Sequence, residues 1–118
     1  MESRLKEELS TFMSRMGGEV HGVGLIRRDG LIISHIFPGG DPKLAAALTA
    51  LSLGALRRTG EELKVGSLRH FVVYYDQRVV VVWPVKDVYI GVFAQPEVNL
   101  GLLMLELERL AKRLAEIL

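Results

Sequence analysis

The chain contains no cysteine, which excludes disulfides, thiol nucleophiles and cysteine metal sites. Side-chain amides are almost as scarce, with one Asn and two Gln, a bias shared with proteins of thermophiles. Net charge is only +1, so no bulk attraction to nucleic acid or to an anionic membrane follows. The basic pairs Arg27-Arg28, Arg57-Arg58 and Lys112-Arg113 are not interleaved with aromatic rings, as single-strand binders require, and no nucleic-acid partner is expected. No apolar run reaches the roughly 20 residues that cross a bilayer, so no membrane insertion is expected. The opening Met1 to Glu8 is polar and acidic, unlike a signal peptide, and a cytoplasmic location is expected. A phosphate-binding loop ending in Gly-Lys-Ser/Thr is missing, which argues against a nucleotide hydrolase.

What is present is the composition of a folded domain: 118 residues, 49% apolar and 25% charged, expected to form one domain over 1–118. Its centre is Pro42 to Arg58, uncharged from Leu44 to Leu56 and rich in the helix formers Ala and Leu. Asp41 is placed to cap this helix and Pro42 to begin it. Two apolar stripes run along it at helical spacing. Leu44, Leu48, Leu51 and Ala55 form the stronger, expected to lie on the chain's own sheet; Ala46, Ala50, Leu53 and Leu56 lie nearly opposite and are expected to meet a partner.

On either side the periodicities alternate. Glu2 to Met16 predicts an amphipathic helix ended by Gly17-Gly18. Val20 to Arg28 and Leu31 to Phe37 predict strands joined by a two-residue Asp29-Gly30 type I′ turn, which pairs Gly24 with His35. Gly22 and Gly24 inside the first strand suggest close approach of a packed helix. Ser67 to Tyr75 predicts a third strand. Val79 to Val85, with no polar residue, predicts an interior strand covered on both faces. Val88 to Ala94 predicts the fifth, and Asn99 to Leu118 a final amphipathic helix capped by Asn99. Five strands joined mostly by hairpins make an antiparallel sheet, and the interior strand calls for helices on both sides: an α+β, three-layer α-β-α fold.

No catalytic constellation emerges. His21 and His35 fall on opposite faces of their hairpin, and Ser34 has no base partner, since the adjacent His35 points the other way. No metal or other cofactor is expected, and the chain is read as not an enzyme. A small-ligand-sensing domain is the alternative reading, with His21, Ser34 and His35 as its dispersed polar candidates.

Three pieces together resemble the Roadblock, or dynein light-chain, domain family: Val23-Gly24-Leu25-Ile26-Arg27-Arg28-Asp29-Gly30-Leu31-Ile32, the Leu/Ala-rich central helix, and Asn99-Leu100-Gly101-Leu102-Leu103 followed by Glu106 and Arg109. The resemblance spans essentially the whole chain. It implies strand order 2-1-5-4-3, the central helix on one face and the terminal helices on the other. It further implies a homodimer built from the central helix and third strand, and a non-catalytic role binding, regulating or scaffolding a Ras-like small GTPase (MglA-like), as in bacterial MglB-type regulators. On this reading Ala46, Ala50, Leu53 and Gly54 of the helix and Leu68, His70, Val72 and Tyr74 of the strand are expected at the dimer interface. Thr49, Leu56 and Arg57 are expected to contact the GTPase.

Overall fold

A computed structural model describes residues 1–118. Eight elements follow in order: α1 (Glu2–Arg15), β1 (Val20–Arg27), β2 (Ile32–Ile36), α2 (Pro42–Leu63), β3 (Phe71–Tyr74), β4 (Val79–Val85), β5 (Val88–Ala94) and α3 (Leu100–Ile117). The five strands form one antiparallel sheet in the order β2-β1-β5-β4-β3. The α+β, three-layer architecture is the one expected.

Most of the core lies between the sheet and the two terminal helices. Leu5, Leu9, Phe12 and Met16 of the α1 segment and Leu103, Leu107, Leu110 and Leu114 of α3 are buried there. They meet Val23 and Leu25 of β1, Val79 and Val81 of β4, and Ile90 and Val92 of β5. The intervening strand residues face α2, where a smaller cluster joins Leu53 to Val82 and Tyr89.

Local signals account for the helix ends. Asp41 Oδ1 accepts from the Leu44 N–H (3.1 Å) and Asn99 Oδ1 from the Leu102 N–H (3.0 Å), so both expected caps form. Helix α2 runs past Arg58 to Leu63. β3 is shorter than Ser67 to Tyr75, because only Phe71–Tyr74 find partners on β4. Beyond Val82, β4 has no β3 residue beside it, which is where Pro84 is accommodated inside the strand.

The Asp-Gly turn is a hairpin of a different kind from the one expected. Arg27 N–H donates to Leu31 O (2.9 Å) and Gly30 N–H to Arg27 O (3.0 Å), closing a loop of three residues. Gly30 has a positive φ of 92° and Asp29 does not, whereas a type I′ turn needs both. Asp29 instead spends its carboxylate locally, on the Arg27 guanidinium (2.7 Å) and the Leu31 N–H (3.1 Å). A bulge between Leu25 and Ile26 absorbs the register change, so Gly24 still lies opposite His35. Gly22 is small for an aromatic ring, not for a helix: a Cβ there would fall 2.5 Å from Phe37, which packs edge-on against Phe93.

The two terminal helices are also tied by charge. Glu8 accepts two bonds from the Arg113 guanidinium, at 2.6 and 2.9 Å. Those bonds hold the Glu8 carboxyl below its ordinary value of 4.5. A depressed carboxyl contributes stability above its unfolded-state value, and that contribution is lost as pH falls through the folded one. The urea midpoint is therefore expected to fall on acidification below pH 4.5, and less steeply in Arg113→Gln, measured by circular dichroism across that range. Equal slopes in both proteins would exclude this pair as the origin.

Candidate partner interface

Helix α2 presents its faces to the sheet in the reverse of the expected sense. Ala46, Thr49 and Leu53 are the residues buried beneath it, and Leu44, Leu48 and Leu51 stand 55, 54 and 73% exposed. Size decides this. The ground under the helix is the β1–β2 turn, where a Cβ on Gly30 would lie 3.4 Å from the Ala47 backbone and 3.5 Å from the Ala50 methyl. A helix seated that close must turn its small residues inward. Leucines there would hold it off the sheet.

Several expected contact residues are thereby taken up within the chain. Ala46 and Leu53 cannot form a seam with a second copy, because they already cover the sheet. Thr49 is buried and its hydroxyl donates to Ala45 O (2.7 Å), so it is not open to a GTPase. Arg57 is half-buried, and Nη1 donates to the Tyr89 hydroxyl (2.9 Å). Leu56 is 40% exposed and Gly54 is exposed. Ala50 is half-buried beside Gly30.

The β3 segment divides between the two layers. Leu68 packs on the Leu53, Val82 and Tyr89 cluster. His70 lies on the opposite face, stacked on Trp83 with ring centroids 4.7 Å apart and planes 5° from parallel. Val72 packs on the main core, and Tyr74 and Tyr75 are exposed. β3 pairs with β4 on one side and is the last strand of the sheet on the other, so its outer backbone groups are free to pair.

The polar candidates do not converge. His21 is exposed, at the irregularity where β1 leaves its register with β5, and His35 is half-buried on β2. Ser34 is buried with its hydroxyl unpartnered, beneath α1. One polar residue has structural weight outside these candidates. Glu106 is 6% exposed on α3, held by Arg15 Nε (3.0 Å) and Arg109 Nη1 (3.1 Å). Arg109 three residues on is a visible helical partner; Arg15, on α1, leaves no sequence signal.

Helix α2 thus carries a continuous apolar face that its own chain leaves uncovered, next to a free sheet edge. No helix is long and apolar enough to cross a membrane. Among known proteins, an uncharacterized protein of Methanocaldococcus jannaschii is 26% identical over 96 residues, 80% of this chain and 84% of its own. The structure of Myxococcus xanthus MglB superposes with a TM-score of 0.91 at 17% identity, covering 98% of this chain and 88% of that one. A Roadblock/LC7 domain from Streptomyces avermitilis superposes at 0.86 with 23% identity and 95% coverage of both chains. Residues 5–94 match the Roadblock/LC7 domain itself, and the chain belongs to that family.

Proposed function

We propose that the protein is a non-catalytic homodimeric interaction module whose partner is a Ras-like small GTPase. The observation that carries this reading is the leucine face of α2. Leu44, Leu48 and Leu51 follow one another at helical spacing with no cover from the chain. A contiguous exposed apolar face of this kind marks an interaction surface. A second copy of α2 is its natural occupant, because the neighbouring β3 edge offers a symmetric pairing at the same time. Pairing of β3 with its copy would give a ten-stranded sheet with two central helices side by side above it. The GTPase would dock on that platform, with Leu56 at its border. Support for this partner class comes from the resemblance carried by the Asp-Gly hairpin, the central helix and Asn99 to Leu103.

Sedimentation of the purified protein at micromolar concentration should report a dimer. Titration with a Ras-like GTPase from the same organism, loaded with a non-hydrolysable GTP analogue or with GDP, should show binding that depends on the nucleotide. A monomer at that concentration would remove the platform, and a dimer that binds neither form would remove the GTPase.

A further inference from the structure

The buried stripe of α2 does not end with the sheet. Ala46, Thr49 and Leu53 are followed at the same helical spacing by Arg57, Gly60 and Lys64, where the helix overhangs the β4–β5 turn. The overhang roofs a cavity of about 530 Å³. Four cations line it, Arg28 from the β1–β2 turn, Arg57 from α2, Lys64 just past its end, and Lys86 from the β4–β5 turn, against the single side-chain carboxylate of Glu61. None of the four is paired with an Asp or Glu side chain. Arg57 is braced on Tyr89, and the Lys86 ammonium is tethered to Leu118 O (2.7 Å), which leaves Arg28 and Lys64 without a side-chain partner.

The backbone marks the same place. Lys64 and Lys86 are the two non-glycine residues with positive φ, at 55° and 53°. A lysine in the left-handed region is less stable than a glycine there by about 1 kcal/mol, and such conformations cluster at functional sites. The helix end opposes an anion weakly, by about half a charge. Its last carbonyls are already engaged: Lys64 N–H donates to Glu61 O and Val65 N–H to Gly60 O.

From this geometry we infer that the cavity binds a phosphoryl group. A lone carboxylate would leave most of these converging cations uncompensated, whereas a phosphate dianion or diphosphate matches guanidinium and ammonium donors arriving from three elements. The volume exceeds that of phosphate alone, and Leu68, Pro84 and the Tyr89 ring supply a wall for an organic body. The same chemistry is offered by a soluble organic phosphate and by a phosphorylated lipid headgroup. Exposed Leu63 and Val65 beside Lys64 are suited to the second. The site lies on the side of α2 opposite the leucine face, so it does not depend on the dimer.

The test is a calorimetric titration with inorganic pyrophosphate at constant ionic strength. Saturable binding is expected in the native protein. Arg28→Gln and Lys64→Gly should each weaken it tenfold or more. Lys64→Gly removes the charge but suits the left-handed backbone, so its melting temperature should not fall. Co-sedimentation with phosphatidylcholine vesicles, with and without phosphatidylinositol phosphate, then separates the two sources. Retention only on the phosphorylated vesicles, competed by pyrophosphate, assigns the lipid; pyrophosphate binding without retention assigns a soluble ligand. Absence of saturable pyrophosphate binding, or equal affinity in the native protein and both variants, overturns the inference. Pyrophosphate binding by a protein found to be monomeric would leave it standing while removing the platform reading.

Discussion

Leu48→Glu combined with Leu51→Glu is expected to yield a folded monomer. Both leucines stand more than half exposed, so their own chain gains little from them, and glutamate is a good helix former. In a helix-to-helix seam each would instead be buried, a change of about 1.5–3 kcal/mol per leucine, counted four times across the two-fold axis. Four carboxylates facing one another add repulsion. The dimer dissociation constant should rise by about 10,000-fold or more, equivalent to about 5.5 kcal/mol. Sedimentation velocity would read the association state and far-UV circular dichroism the fold. Ala46→Glu is the contrasting variant: it forces a charge between α2 and the sheet and should unfold the chain. A double glutamate variant that stays dimeric would move the seam off this face. One that unfolds while Ala46→Glu does not would restore the original orientation of the helix.

Val81→Asp should abolish folding. Val81 is 0% exposed at the centre of β4, between Val72 on β3 and Val92 on β5, within the cluster shared with α1 and α3. No cation of the core is near enough in the packing to pair with a carboxylate there, since that cluster is wholly apolar. Burying an unpaired carboxylate costs several kcal/mol even after its pKa rises, against a total of about 5–15 kcal/mol for a domain. The expected readout is insoluble protein, or soluble protein without a cooperative urea transition. Val80→Asp, one residue earlier on the opposite face, where the side chain is only partly buried at the margin of the smaller cluster, should be the milder of the two and remain soluble. An unchanged urea midpoint in Val81→Asp would place β4 outside the core.

The elements were legible because each rests on short-range chemistry. Asp41-Pro42 and Asn99 announce helix starts through bonds to amides three residues ahead, and Val79 to Val85 states its double burial by containing nothing polar. Strand order was a different matter: it came from a family resemblance, because hairpin periodicity does not encode which edge a strand joins. The orientation of α2 was missed because two stripes of comparable apolarity compete, and the deciding factor is the surface beneath. The clue was the turn itself: Gly30, needed there for its positive φ, lies directly against Ala47 and Ala50. Favouring the larger leucines as the inward face weighed hydrophobicity above clearance. Glu106 escaped because one of its two partners is 91 residues away. The cavity beneath the end of α2 escaped for a similar reason: Arg28, Arg57, Lys64 and Lys86 are scattered in the chain and meet only after the sheet is assembled.

The two rims of the sheet are unequal, and that inequality sets how far the chain can multiply. β3 ends the sheet as a short run that closes on the exposed Tyr74 and Tyr75, and its outer edge is free to pair with its own copy about a two-fold axis. β2, at the far rim, is bent by the bulge opposite Leu25 and Ile26 and has α1 lying alongside it. A bent, overhung margin is a poor template for another strand. Growth through β3 would therefore stop at two chains, with both blunted rims facing outward. Such pairing would give a closed particle of fixed stoichiometry, not a filament.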